Sequence, residues 1–187
     1  MENTMNDASP RTDEHDGSKM AYTATPTPDE RDKIWTRVKK IRFCVLSNVD
    51  VGGAITSRPL TTQEVDDSGR LVYFVHVESA LAESLDNDNR VNVSYTDSGD
   101  NFYVSFVGTA SIRRDPDKAE KLWGTMNEAW FPGGPKDPDL LVLEVDVDRV
   151  EYWDSGKSRV VQMLTMAKAA VTKTPPSDMG EHGSFRP

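Results

Sequence analysis

The chain contains little cysteine and histidine, and this shortage limits the chemistry that its side chains can perform. Its 187 residues include one cysteine, Cys44, so no internal disulfide can form and a reducing, cytoplasmic compartment is predicted. The three histidines, His15, His76 and His182, show no metal-ligand spacing, and neither C-x-x-C nor H-x-x-x-H occurs. No metal site is therefore predicted.

Positive charge and long apolar runs are also scarce. The chain has 22 Lys and Arg residues against 31 Asp and Glu residues, which gives a net charge of −9. A surface that binds nucleic acid normally carries a basic stripe, so no nucleic-acid partner is predicted. The acidic N-terminus lacks the apolar core of a signal peptide, and no membrane span is recognisable, so no membrane partner is predicted either.

The sequence gives little support for nucleophilic catalysis. His76 is the only plausible base for Cys44, and no sequence feature brings the two side chains together. We interpret Cys44 as a buried small hydrophobe in the first strand, with a reactive thiol as the alternative. No catalytic residue is assigned.

Composition divides the chain into three parts. Residues 1–25 are polar and acidic and show no apolar periodicity, which predicts a disordered acidic leader. Residues 175–187 have a similar composition and predict a flexible C-terminal tail. The folded domain is therefore expected over residues 26–174.

Alternating apolar residues in this domain predict six strands, at about residues 42–48, 54–62, 71–77, 90–96, 101–112 and 140–153. Helices are predicted to begin near Thr27, Ser79 and Asp115, and a last helix is predicted over residues 160–173. Strands joined mostly by hairpins indicate a mainly β fold with flanking helices, in which an antiparallel sheet curls into a barrel. A lipocalin-like barrel is the main alternative, although it lacks the two internal helices.

The second predicted strand contains an unusual interruption, Arg58-Pro59-Leu60. Proline has no backbone N–H to give to a neighbouring strand, so it is rare inside a sheet. The interruption predicts an edge or bulge where a charged side chain and free backbone groups face a ligand. Pairing of Arg58 with a carboxylate such as Glu64 is the structural alternative.

A phosphorylated aromatic cofactor is the ligand class that the residues allow. Such a ligand needs a cation and hydrogen-bond donors for the phosphate, and flat apolar walls for the ring. Ser57, Arg58 and Ser79, at the start of a helix, are candidates for the phosphate. Phe74, Trp130 and Trp153 are candidates for the walls, with purely structural roles as the alternative.

Six segments, in order, resemble the FMN-binding split-barrel family, in its general stress protein branch related to pyridoxamine 5′-phosphate oxidase. They read TSRPL, GRLVYFV, ESALAESLDNDNRVNVSY, YVSFVGTASI, KLWGTMNEAWFPGGPKDPDLLVLEVD and VEYWDSGKSR, and they span about residues 29–161. The resemblance implies a six-stranded antiparallel split β-barrel. It also implies a homodimer with FMN at the subunit interface.

The resemblance further implies a role for each candidate residue. Arg58 is expected to meet the phosphate or ribityl chain of FMN, and Ser79 the phosphate. The backbone of Pro59 and Leu60 is expected to line the isoalloxazine. The remaining expectations place Phe74, Val75 and His76 beside the cofactor, Trp130 and Phe131 at the mouth of the pocket, and Trp153 in the partner's site.

This sequence departs from the family pattern at one position. The family usually carries Ser-x-Lys at this helix, with the lysine on the phosphate, whereas here Ser79 is followed by Ala80 and Leu81. The missing cation predicts weaker FMN binding, compensation by another group, or a preference for FAD.

Two functions follow from the resemblance, and a third remains as an alternative. The first is a flavin-dependent oxidoreductase that acts on a small molecule with a nicotinamide reductant. The second is a non-catalytic flavin-binding stress or sensor module. The third is a structural dimer without a ligand.

Overall fold

Six antiparallel strands form a closed barrel in the computed structural model, which describes residues 26–66, 68–155 and 181–187. These strands are β1 (Phe43–Val49), β2 (Ile55–Val65), β3 (Leu71–His76), β4 (Arg90–Asp97), β5 (Phe102–Arg113) and β6 (Leu140–Asp154). The described residues also form helices α1 (Pro28–Val38), α2 (Ala80–Asn87) and α3 (Pro116–Lys121), two 3₁₀ helices (Thr125–Ala129 and Gly134–Lys136) and a further strand, β7 (Glu181–Phe185).

The order of the strands identifies the type of barrel. Neighbouring strands follow the order β3-β2-β1-β4-β5-β6, and pairing of β3 with β6 closes the cylinder. The predicted six-stranded antiparallel barrel is therefore confirmed. A lipocalin-like barrel is excluded because β1 pairs with β4 rather than only with its sequence neighbour, and because α2 and α3 interrupt the strands.

The interior of the barrel combines apolar side chains with a small hydroxyl network. The hydroxyls of the buried Tyr73 and Tyr95 lie 2.8 Å apart, and the Thr62 hydroxyl lies 2.9 Å from that of Tyr95. Cys44 is buried beside them in β1, and burial raises the pKa of its thiol. The interpretation of Cys44 as a buried small residue is thus confirmed.

Strand β3 is buried on both faces, as its continuous apolar run predicts. Tyr73 and Val75 belong to the main core, whereas Val72 and Phe74 belong to a second apolar cluster that includes Phe131. This double burial fixes Phe74 between the barrel and the loop that follows α3.

Helix α1 begins with a complete capping box. The Thr27 hydroxyl accepts a hydrogen bond from the backbone N–H of Glu30, and the Glu30 carboxylate accepts one from the backbone N–H of Thr27. Trp35 stacks on Phe106 with ring centroids 5.1 Å apart, which attaches the helix to the barrel.

Among the described helices, none is long and apolar enough to cross a membrane.

A seventh strand lies within the stretch for which the sequence predicts only a flexible tail. Strand β7 pairs antiparallel with the end of β6, from Val150↔Phe185 to Asp154↔Glu181, and Phe185 is buried in the main core. The sequence analysis missed this strand because five residues are too few for a periodic signal. The leader (1–25) and the predicted helix (160–173) lie outside the described residues.

Candidate functional site

The barrel opens where β2 and β3 separate. Their pairing ends at Thr62↔Tyr73; beyond it β2 continues along β1 and β3 along β6. A cavity of about 260 Å³ lies at this split. It is lined by Arg58, Pro59, Leu60, Thr61, Gln63, Phe74, Val75, His76, Ser79, Leu81, Asn127, Trp130 and Phe131. Pro59 lies on the part of β2 that has lost its β3 partner, where a missing N–H is tolerated.

All the predicted cofactor-binding residues except Ser57 and Trp153 line this one cavity. Ser57 faces the outside of the sheet, where its hydroxyl lies 2.8 Å from that of Ser47. Trp153 lies on β6, where it stacks on His182 with centroids 4.8 Å apart and an interplanar angle of 6°. A single chain thus does not bring Ser57 or Trp153 to the cavity.

Arg58 carries a permanent positive charge into the cavity. Its Nη2 donates to Asn48 Oδ1 at 3.3 Å and to Thr56 Oγ1 at 3.1 Å, while its Nε is buried without a hydrogen-bond partner. No described carboxylate lies within 4.0 Å of the guanidinium, and Glu64 instead approaches Lys118 at 4.0 Å. Pairing of Arg58 with Glu64 is therefore not observed. A buried donor without an acceptor costs about 1–3 kcal/mol, which a bound anion would offset.

The start of α2 forms the polar end of the cavity wall. The Ser79 hydroxyl accepts a hydrogen bond from the backbone N–H of Ala82 at 3.2 Å and thereby caps the helix, as predicted. The first backbone N–H groups of a helix have no acceptor within the helix and favour anions. Ser79 and the first turn of α2 are thus suited to a phosphate.

Leu81 gives the cavity an apolar wall next to Ser79. Its side chain is 1% exposed and packs in the main core, while its surface also lines the cavity. The residue that replaces the family's lysine is thus a core residue as well as a cavity residue. In the part of the chain that the structure describes, Arg58 is the only lining residue with a permanent positive charge.

Aromatic side chains form the opposite wall. Phe74 packs against Trp123 with centroids 6.2 Å apart and meets the edge of Phe131 at 6.5 Å. Trp130 follows the 3₁₀ helix Thr125–Ala129 and is 76% exposed at the mouth of the cavity. Trp123 lies just beyond α3, which ends at Lys121, and is partly buried against the second apolar cluster.

Sequence reasoning missed three residues that line the cavity. Thr61 and Gln63 follow Pro59 at every second position of β2, so the strand periodicity could have identified them. Asn127 is a buried residue of the 3₁₀ helix Thr125–Ala129, and its Nδ2 donates to Gln63 Oε1 at 3.1 Å. No sequence pattern marks Asn127, because this contact joins residues far apart in the chain.

His76 ends β3 at the edge of the cavity, and its side chain is 44% exposed. Its Nδ1 accepts a hydrogen bond from the backbone N–H of Glu78 at 3.2 Å, which places the proton of the neutral ring on Nε2. Nε2 lies 3.7 Å from Asp139 Oδ2, which is longer than a hydrogen bond. His76 is therefore not a buried core residue.

On the outer surface of the barrel, one continuous area of β1, β2, β4 and β5 carries no charged side chain, although charged residues make up 28% of the chain. We call this area the uncharged face, and its residues are Phe43, Val45, Ser47, Ile55, Ser57, Pro59, Asn92, Ser94, Tyr103, Ser105 and Val107. Its polar groups bond to one another, since Asn92 Nδ2 donates to Ser105 Oγ at 2.6 Å and Ser94 Oγ donates to Asn92 Oδ1 at 3.0 Å. Pro59 joins this face to the cavity, and Tyr103, at its other end, pairs with Trp153.

Among the described residues, no group of three or more His, Cys, Asp or Glu side chains could hold a metal ion. The described residues that line the cavity include no carboxylate and no cysteine. The arrangement is suited to binding an anion together with a flat ring.

Comparison with known proteins identifies relatives of this chain. Protein bli-3 of Neurospora crassa is 29% identical over 132 residues, which cover 66% of this chain and 63% of that protein. General stress protein 26 of Bacillus subtilis is 27% identical over 89 residues, which cover 46% of this chain and 63% of that protein. The matches thus span less than two thirds of the length of either curated relative.

A solved structure extends the likeness to the fold. The general stress FMN/FAD binding protein from the phytopathogen Xanthomonas citri is 30% identical, with a TM-score of 0.61, and the match covers 71% of this chain and 92% of that one. The sequence profile described as pyridoxamine 5′-phosphate oxidase like matches residues 29–177. The chain therefore belongs to the pyridoxamine 5′-phosphate oxidase-like family.

Proposed function

We propose that this protein binds a flavin nucleotide, FMN, in the cavity between β2 and β3. The observation that carries the proposal is the buried Nε of Arg58, which lacks an acceptor in a cavity whose described lining residues include no carboxylate. An anionic group of the ligand would accept from this N–H, with Ser79 and the first turn of α2 beside it. Phe74 and Trp130 would supply the apolar surface for the ring.

The relatives support a flavin as the ligand. The Xanthomonas citri protein is named for both FMN and FAD, and it shares this fold. FAD contains the same ring, so it is the alternative ligand for the same cavity. When bound, a flavin supplies hydride and electron transfer, whereas the protein binds and orients it.

A direct titration tests this proposal. FMN added to the purified protein is expected to change its fluorescence and to raise the melting temperature, because a ligand that binds only the native state stabilises it. Absence of any effect with FMN, FAD and riboflavin would leave the ligand-free structural dimer as the better account.

If the bound flavin takes part in catalysis, the exposed Trp130 favours an oxidoreductase. Its ring is largely open to solvent at the mouth of the cavity and offers a platform for a second planar group, such as a nicotinamide. Steady consumption of NADH or NADPH by the flavin-loaded protein would support an oxidoreductase. Flavin binding without consumption would identify a non-catalytic stress or sensor module.

We further propose that two copies meet across the uncharged face. The cavity of one chain, about 260 Å³, is slightly smaller than typical ligand pockets of about 300–1,000 Å³, so a second copy would complete it. Interfaces are depleted in charged residues at their centre, and the polar groups of this face are already bonded to one another. The uncharged face extends from Pro59, which lines the cavity, to Tyr103, which pairs with Trp153. If two copies meet across this face, the partner's Trp153 is the residue proposed to form a further wall of the cavity.

A charge in the middle of this face should separate the copies. Val45 is 45% exposed in β1, and Val45→Asp is expected to give a monomer that binds FMN about tenfold or more weakly, because a desolvated, unpaired carboxylate is costly. Sedimentation and FMN titration measure both effects. Val51→Asp is the matched control, since Val51 is 61% exposed in a turn outside the face. A Val45→Asp protein that stays dimeric and binds FMN normally would contradict the proposed interface.

A further inference from the structure

The electrostatics of the cavity raise a question that the proposed function leaves open. A flavin phosphate carries close to two negative charges at neutral pH. Arg58 offers one permanent positive charge, and part of its hydrogen-bonding capacity is already used by Asn48 and Thr56. Among the described side chains that line the cavity, the only other one that can become a cation is His76.

Charged groups of both signs and a backbone donor lie around His76. The backbone N–H of Glu78 donates to Nδ1 at 3.2 Å, and Asp139 Oδ2 lies 3.7 Å from Nε2. Backbone hydrogen bonds from Asp139 and Gly133 lower the pKa of Asp137, and the electrostatic effects of His76 and Arg114 add to them. Arg114 also donates to the carbonyls of Pro138 and Asp137.

We infer that His76 is the second cation of the flavin site, which takes up a proton when a phosphate-bearing ligand enters the cavity. This inference rests on the proposed function and deepens it, because it makes binding of the phosphate depend on pH. Histidine is suited to this role because its ring titrates near physiological pH in ordinary peptides.

Thermodynamic linkage between proton uptake and FMN binding sets the direction in which FMN affinity changes with pH. If the bound state holds one more proton than the free state, the affinity rises as pH falls, by at most about tenfold per pH unit. FMN is therefore expected to bind the unmodified protein about 3- to 10-fold more tightly at pH 6.5 than at pH 8.0. Riboflavin, which has the same ring without the phosphate, is expected to show no such dependence.

His76→Gln is the decisive variant. Glutamine keeps a neutral hydrogen-bond donor but cannot take up a proton. Because His76 is half-exposed at the end of a strand, the variant is expected to fold, and its melting temperature checks this. In His76→Gln the gain in FMN affinity at low pH should be lost, and comparison of the two pH profiles cancels the phosphate's own titration, which both proteins share.

Calorimetry gives a second, independent readout. FMN binding in two buffers of different ionisation enthalpy should show net proton uptake by the unmodified protein at pH 7 and none by His76→Gln. Equal pH profiles or equal proton uptake in the two proteins would overturn this inference while leaving flavin binding intact. Failure of FMN, FAD and riboflavin to bind at all would instead refute the proposed function, and this inference with it.

Discussion

Arg58→Ala is expected to weaken FMN binding about 10- to 150-fold. This range corresponds to the loss of one charge-assisted hydrogen bond, about 1.5–3 kcal/mol. The Nε of Arg58 is a buried donor that lacks an acceptor, and Arg58 lines the cavity, so removal of the guanidinium removes the anion site that it forms. A fluorescence titration of the variant with FMN measures the change.

Two controls accompany this variant. One tests whether the lost affinity comes from the site rather than from misfolding, and the other tests whether Arg58 contacts the phosphate or the ribityl chain. Arg58→Lys keeps the charge but loses the fork that reaches Asn48 and Thr56, so it should bind FMN with intermediate affinity. Riboflavin should lose little affinity in Arg58→Ala if Arg58 meets the phosphate, and as much as FMN if it meets the ribityl chain. Unchanged FMN affinity in a folded Arg58→Ala protein would exclude Arg58 from the site.

Leu81→Lys is expected to tighten FMN binding by a similar factor, about 10- to 150-fold. Leu81 lines the cavity as the second residue of α2, so a lysine there can extend its ammonium group along the wall towards the phosphate. The same position is almost fully buried, so the protein without ligand should melt at a lower temperature. Titrations with FMN and with riboflavin measure the phosphate-dependent part of the gain.

Leu81→Met is the matched control for this variant. Methionine keeps an apolar side chain of similar volume without adding a charge, so it should change FMN affinity little. No gain in Leu81→Lys over Leu81→Met would mean that the phosphate does not lie at the start of α2. A gain that riboflavin shares would point to a contact other than the phosphate.

The strands could be predicted from the sequence because each has a local pattern. The apolar run of β3 predicts burial on both faces, and the Arg58-Pro59 interruption predicts the unpaired part of β2. Pairing between strands that are distant in sequence, such as β1 with β4, leaves no local signal. That pairing became predictable only through the resemblance to a family.

The candidate site was predicted in part for similar reasons. Ser57 and Arg58 are neighbours in one strand, so their side chains point to opposite faces, and the structure turns Arg58 to the cavity and Ser57 to the outside. Asn127 is held at the cavity by its hydrogen bond to Gln63, which lies 64 residues earlier in the chain. Sequence periodicity does not reveal such a distant contact. Trp153 lies outside the cavity of its own chain, so its predicted role rests on a second copy.

A mixture of two variants that each bind FMN poorly is the most direct test of a flavin site shared by two chains. Arg58→Ala removes the anion site of its own cavity, and Trp153→Ala removes the wall that is proposed to reach the partner's cavity. If the subunits exchange at random, equal amounts yield mixed dimers in which one of the two cavities has both residues, or about a quarter of all cavities. At an FMN concentration that saturates the unmodified protein but neither variant alone, the mixture should bind FMN in about a quarter of its cavities. A mixture that binds no more FMN than the separate variants, or a Trp153→Ala protein that binds FMN normally, would contradict a flavin site built from two chains.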